Sequence, residues 1–152
     1  MDFFGTFTPK LDDKGRLFLP AKFRDAMAGG CVATLGFERT IAIYPRAAFD
    51  QMNKAVSALP LTVARNRHFA RMFRANAHEQ VPDKQGRIVL PQHLRDYARL
   101  DRELVVNGGG HLLEVWNLEQ WEQYCLAAQE SYAEMNDEMF PSDFFASHEV
   151  FG

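Results

Sequence analysis

The chain has 152 residues, 47% of them hydrophobic, and a formal net charge of −3. This length supports one domain or two small units sharing a core, and no apolar run approaches the ~20 residues that would cross a bilayer. Its two cysteines, Cys31 and Cys125, stand far apart without companions, which argues against a disulfide framework and for buried thiols in a reducing cytoplasm.

In chain order, Met1 to Gly5 carries neither a basic n-region nor an apolar h-region, so no signal peptide is expected. Residues 4–8 (Phe-Gly-Thr-Phe-Thr) are β-prone and are broken by Pro9. Arg16 to Leu19 is a short apolar strand, and Pro20 suits the first turn of a helix running to Met27 and stopped by Gly29-Gly30. Cys31 to Leu35 and Thr40 to Tyr44 form a hairpin around Gly36 to Arg39, and Pro45 opens a helix toward Ala55. Between residues 61 and 74, Val63, Phe69, Met72 and Phe73 can share a helical face, while Arg67, Arg71 and Arg74 form a basic stripe. Such a stripe could meet nucleic-acid phosphates, lie in solvent, or pair with acids on a neighbouring subunit. A strand near 77–81, a strand from Arg87 to Leu90, a helix from Pro91, strands at 103–107 and 111–116, and a helix from about 117 complete the order.

That order repeats. Asp12-Asp13-Lys14-Gly15-Arg16-Leu17-Phe18-Leu19-Pro20 precedes Phe23-Arg24-Asp25, and Asp83-Lys84-Gln85-Gly86-Arg87-Ile88-Val89-Leu90-Pro91 precedes Leu94-Arg95-Asp96. The two segments stand 71 residues apart (87 − 16) at every matched position. Further on, Ile41, Ile43, Tyr44 and Phe49 match Leu113, Val115, Trp116 and Trp121 at an offset of 72 (116 − 44), which places one extra residue in the second copy, expected at the glycine-rich tip Asn107 to Gly110. A fixed offset means one supersecondary unit used twice. Each unit is too small to close its own core, so the copies are expected to complete one another through paired strands. The expected organisation is a first element over 1–56, a basic linker helix over 57–76, a second element over 77–125 and an acidic tail over 126–152.

Charge is unevenly placed. From residue 117 onward there are eight acids and no Lys or Arg, so the first 116 residues hold all 17 basic side chains against 12 acids, a net of +5. A basic body with an acidic end fits an anion-binding surface, although an ordinary domain with a solvated tail has the same pattern.

The chemistry of interest lies in the doubled turn. Gly15 and Gly86 permit positive φ, so Lys14, Arg16, Lys84 and Arg87 can be presented outward. Asp12 and Asp83, four residues before the arginines, can accept from turn amides and steer the guanidinium groups. Arginine reads guanine O6 and N7 in the major groove, and lysine suits phosphate. A single copy would read as a plain hairpin turn; turn chemistry does not require arginine after glycine, so its retention in both copies points to a ligand. Arg24-Asp25 and Arg95-Asp96 read as local ion pairs or cap contacts, and Tyr44, Phe49, Trp116 and Trp121 as core aromatics. The five histidines show no metal-ligand spacing with either cysteine, Gly108-Gly109-Gly110 lies between strands and not before a helix, and Glu114 and Glu119 belong to a surface pattern. Neither an enzyme nor a cofactor is indicated.

The two D-x-x-G-R-Φ-Φ-L-P turns (Φ apolar) and the aromatic pattern after each resemble the MraZ family of bacterial transcription regulators over about residues 3–125, and each copy resembles the AbrB or SpoVT type of swapped-hairpin element. The resemblance implies an α+β, mainly β fold: a tandem swapped-hairpin, pseudo-twofold barrel with flanking helices. It also implies a cytoplasmic, nucleoid-associated repressor with double-stranded DNA as partner, binding direct repeats upstream of its own division and cell-wall operon. The assembly it implies is a ring-shaped homo-oligomer, octamer or dodecamer, with no membrane association. By motif position Asp12, Arg16, Asp83 and Arg87 carry over; the second copy departs in having Lys84 and Gln85 where the first has Asp13 and Lys14. A ring-forming scaffold for division or cell-wall proteins is the alternative from another functional class. The tail, with Phe140, Phe144, Phe145 and Phe151, could pack on a neighbour or on its own chain.

Overall fold

A computed structural model describes residues 2–144; Met1 and residues 145–152, among them Phe145, His148, Glu149 and Phe151, lie outside the described residues. The chain divides into two compact units, Met1–Leu118 and Glu119–Gly152. No helix among the described residues is long and apolar enough to cross a membrane.

Proline punctuates the first unit. Helices α1 (Ala21–Met27), α2 (Arg46–Ser57) and α4 (Gln92–Tyr97) follow Pro20, Pro45 and Pro91, which have φ of −52°, −56° and −55° with ψ of 136°, 149° and 150°. These prolines therefore stand at the N-cap, one position ahead of the expected first turn, where a fixed φ combines with an extended ψ. Helix α3 (Ala64–Ala75) begins after the extended Val63.

Among the described residues six strands form one antiparallel sheet in the order β1 (Thr6–Phe7), β7 (Leu104–Gly108), β8 (Leu113–Asn117), β4 (Ile41–Pro45), β3 (Cys31–Leu35) and β5 (His78–Gln80), and β2 (Arg16–Phe18) pairs with β6 (Arg87–Val89) as a separate ribbon. Among the named strands of the described residues, the hairpins β3–β4 and β7–β8 stay within one copy, and the pairs β1–β7, β3–β5, β4–β8 and β2–β6 each join the two copies. At the centre Ile41 faces Val115 and Ile43 faces Leu113, with Ala42 opposite Glu114. Because Ile41 and Leu113 are equivalent by sequence, as are Ile43 and Val115, this register is that of a pseudo-twofold axis.

The expectation of an α+β fold with interleaved copies holds, and two details differ. Among the described residues the helices hold more residues than the strands, so the protein is not mainly β; α2, α3 and α5 (Leu118–Ala133) run 12, 12 and 16 residues, against strands of 2 to 5. The hydrogen-bonded order is also open, with β1 and β5 as edges, and not a closed barrel. Both edge strands are short and lie just before Pro9 and Pro82, which have no N–H to extend a ladder.

Register also relocates the expected insertion. Ala98 stands 71 residues after Met27 (98 − 27), Leu104 stands 73 after Cys31 (104 − 31), and Leu113 stands 72 after Ile41 (113 − 41). Two residues are thus added between α4 and β7, and one is removed from the hairpin tip that the sequence suggested had gained one.

Strand alternation buries both faces of the sheet. On one face Leu17, Leu19, Phe23 and Met27 from the first copy and their counterparts Ile88, Leu90, Leu94 and Ala98 from the second are buried in a single core with Ile41, Ile43, Val106 and Val115. Burial of a large aliphatic side chain contributes about 1.5–3 kcal/mol, so neither copy could keep this core alone. Phe3 and Phe7 meet Phe23 edge-on at centroid distances of 5.0 and 5.1 Å. On the other face Val32, Ala42 and Tyr44 pack with Phe49 and Val56 of α2 and Ala70 and Phe73 of α3.

Of the four apolar residues expected on the inner face of the linker helix, Phe73 is buried and Phe69 half-buried, whereas Val63 and Met72 are exposed. Ala70 and Phe73, three apart, set the inward face, and Val63 precedes the helix. Arg74 of the basic stripe is committed to α2: its Nε donates to Asn53 Oδ1 at 2.8 Å and its Nη2 to Ser57 Oγ at 2.7 Å. Between α2, α3 and the sheet lies a half-open apolar cavity of about 740 Å³, lined among others by Tyr44, Met52, Phe69, Phe73 and Glu114. Glu114 is half-buried and accepts from Asn107 Nδ2 at 2.9 Å, so it is not the surface residue its sequence context suggested.

Cys31 is buried, which pushes its thiol up to about 11, whereas Cys125 is only half-buried. In the second unit Trp121 and Tyr124 stack at 6.3 Å, and Asn136 caps a short 3-10 turn (Asp137–Met139) by accepting from the Glu138 amide at 2.9 Å.

Candidate nucleic-acid interface

The two turns match bond for bond. In the first, Asp12 Oδ1 accepts from the Lys14 and Arg16 amides at 2.9 and 2.8 Å, and Oδ2 accepts from Arg16 Nε at 2.6 Å. In the second, Asp83 Oδ1 accepts from the Gln85 and Arg87 amides at 2.9 Å each, and Oδ2 accepts from Arg87 Nε at 2.7 Å. Gly15 and Gly86 sit at φ of +74° and +75°, the left-handed region that favours glycine. Each carboxylate fixes both a turn and the root of a guanidinium group, leaving the outer Nη edge of the arginine with no hydrogen-bond partner among the described residues.

These contacts hold both carboxyls below their ordinary value. At Asp12 partial desolvation works in the opposite direction but is outweighed by the Arg16 amide, the Arg16 guanidinium and the Lys14 amide. At Asp83 the Arg87 amide leads, and the Arg87 guanidinium and the Gln85 amide assist against desolvation.

The turns are coupled across the copies. Leu19 N–H donates to Gly86 O at 2.9 Å, and Leu90 N–H donates to Gly15 O at 2.8 Å. In the ribbon β2–β6, Arg16 faces Val89, Leu17 faces Ile88 and Phe18 faces Arg87. Leu17 and Ile88 point into the core, so Arg16, Phe18, Arg87 and Val89 share the outer face, where Phe18 and Val89 are 41% and 43% exposed. Beside it the Gln80 side chain holds Val89 through two bonds of 2.7 Å, acting as a substitute strand edge.

All eight residues singled out from sequence lie in these turns. Asp12, Gly15 and Arg16 have exact counterparts in Asp83, Gly86 and Arg87. Lys14 and Lys84 are exposed but not equivalent, since the Lys14 amide plays the part that the Gln85 amide plays in the second turn. Sequence reasoning missed the role of Arg24 and Arg95. They form no ion pair with Asp25 or Asp96 among the described residues; instead Arg24 Nε donates to Leu19 O at 3.0 Å and Arg95 Nε to Leu90 O at 2.8 Å. Each then covers the other copy's turn, so that a Cβ added at Gly86 would lie 2.5 Å from Arg24 Nε, and one at Gly15 would lie 2.8 Å from Arg95 Cζ. Their recurrence nine residues after each glycine was the available signal. Among the described residues no group of three His, Cys, Asp or Glu side chains is placed to hold a metal ion.

Fold and site together define an internally duplicated α+β protein whose copies interleave to present matched Asp–Arg turns along one ribbon. The sequence profile of the family described as "MraZ protein, putative antitoxin-like" matches twice, over residues 3–72 and 72–143. The chain belongs to the MraZ family. It is 48% identical over 139 residues to the protein named transcriptional regulator MraZ of Salinispora arenicola, covering 91% of this chain and 98% of that one. The proteins of the same name from Salinispora tropica and Cutibacterium acnes are each 47% identical, over 91% of this chain and 98% and 97% of theirs.

Proposed function

We propose that this chain is a sequence-specific DNA-binding transcriptional regulator, a repressor, acting in the cytoplasm in association with the nucleoid. The observation that carries the reading is the pair of guanidinium groups on the ribbon's outer face, each anchored at Nε by a carboxylate and open along its Nη edge. An arginine buttressed this way is pre-set for bidentate contact with guanine O6 and N7. In this reading Arg16 and Arg87 meet base edges, and Lys14 and Lys84 meet phosphates. Asp12, Gly15, Asp83 and Gly86 hold the turns in shape. The relatives, named transcriptional regulators, support regulation of transcription as the outcome.

The interleaved pairing of the copies supports a tandem swapped-hairpin element built within one chain, with residues 1–56 and 77–125 as its halves. One such ribbon offers few cations and binds weakly alone. A closed homo-oligomeric ring, octamer or dodecamer, lines up several ribbons against direct repeats upstream of the chain's own division and cell-wall operon. Linked sites of this kind raise avidity by roughly 10²–10⁴ over one site.

Fluorescence-anisotropy titration against the native upstream duplex and a scrambled duplex, each at two salt concentrations, tests the proposal. Tight binding to the native duplex alone, with affinity falling steeply as salt rises, is the expected result. Equal weak binding to both duplexes would overturn it.

A further inference from the structure

The two turns are alike in every hydrogen bond described above, yet their arginines do not have the same neighbour across the ribbon. Arg16 faces Val89, and Arg87 faces Phe18. The Arg87 guanidinium carbon lies 5.7 Å from the Phe18 ring centroid, within cation–π reach. The Arg87 side chain is 20% exposed and the Arg16 side chain 30%. Phe18 and Val89 are themselves counterparts in the repeat, 71 residues apart, so the asymmetry arises from one substitution at one repeat position.

A planar guanidinium held by one hydrogen bond at Nε can still pivot about that bond through the side-chain torsions that lead to it. A ring beneath it adds a second restraint, on its plane. We infer that Phe18 is a positioning residue that pre-orients Arg87 and so gives the pseudo-symmetric ribbon a direction. Arg87 is the ordered reader and Arg16 the adaptable one. A group already held in its bound geometry loses less freedom on binding, so Arg87 contributes more to affinity than Arg16. A ribbon with equal halves would favour a palindromic site, whereas unequal halves favour a directional one, the kind that direct repeats require. The inference rests on the DNA-binding reading for its consequence, but the ordering of Arg87 is a property of the free protein.

The test uses the full chain, a duplex carrying one native repeat, and the variants Phe18→Val, Val89→Phe, Arg16→Ala and Arg87→Ala, alone and combined. Phe18→Val should weaken binding about two- to fivefold, the range of an exposed cation–π contact. It should have no further effect when Arg87→Ala is already present, and its full effect when Arg16→Ala is present. Val89→Phe, which places a ring opposite Arg16, should tighten binding and narrow the gap between the halves. In parallel, the ¹⁵Nε–¹H NMR signal of Arg87 in free protein should be more ordered than that of Arg16 and fall to its level in Phe18→Val. Equal order of the two arginines, or a Phe18→Val effect that persists undiminished in Arg87→Ala, would overturn the inference. If the NMR result holds while neither arginine variant changes binding, the DNA-reading proposal fails and the ordering role of Phe18 stands.

Discussion

The guanidinium of Arg24, from the first copy, lies across Gly86 in the turn of the second, with its Nε 2.5 Å from where a Cβ would stand. Arg95 does the same over Gly15. Each copy's helix thus supports the other copy's turn, and the two presentation sites form one mechanical unit.

Gly86→Ala should therefore destabilise the protein for two separable reasons. One is the φ of +75°, for which strain of about 1–3 kcal/mol is typical. The other is the displacement of Arg24. Thermal denaturation followed by circular dichroism should show a melting temperature several degrees lower. Adding Arg24→Ala should recover the steric part and leave the backbone part, so that the two changes are less than additive.

Asp12→Asn and Asp83→Asn should affect binding more than folding. Their ion pairs with Arg16 and Arg87 lie on the surface, where such pairs stabilise little, so the melting temperature should move by no more than about 2–4 °C, as expected for a small loss in a chain of this size. Each change frees a guanidinium, and DNA affinity should fall about five- to tenfold per site, the scale of one net hydrogen bond of about 1 kcal/mol. Titration of each variant beside its melting curve separates the two effects.

The same contacts set a pH dependence. Both carboxyls titrate below the ordinary 3.8 in the folded chain. A depressed folded value means that the turn's contribution to stability is complete above the unfolded value and is lost as pH falls through the folded one. The turns should stay formed at pH 4–5 and release only below 3.8. Carboxyl ¹³C shifts of Asp12 and Asp83 should have midpoints below the ordinary 3.8.

Cys31 and Cys125 should differ in reactivity. Burial keeps the Cys31 thiol protonated up to about pH 11, whereas Cys125 is partly accessible. Alkylation of native protein near pH 8, read by mass spectrometry of peptides, should modify Cys125 and spare Cys31 until the chain is denatured.

Local signals were legible in the sequence because they depend on neighbouring residues. The glycine turns, the helices after Pro20 and Pro91, and the hairpins could be placed this way, and the repeat announced that the copies share a core. What the sequence left hidden depends on contacts between distant residues. Nothing local says that Gly15 O accepts from Leu90 or that Arg24 reaches Gly86, and the two-residue insertion before β7 becomes visible only through strand register. Glu114 looked like a surface acid because its alternation matched a strand, but helices cover both faces of that strand's sheet. Phe18 looked like one apolar residue of a short strand, and its position opposite Arg87 follows from the pairing of β2 with β6.

The central claim is that the doubled Asp–Arg turn reads DNA. Its most direct test is binding of the double variant Arg16→Ala/Arg87→Ala to the native upstream duplex, with circular dichroism and melting temperature recorded on the same sample. Each lost base contact should cost roughly 1–3 kcal/mol, so a folded double variant should bind at least tenfold more weakly and no longer distinguish native from scrambled duplex. A folded double variant that keeps native affinity and discrimination would contradict the account.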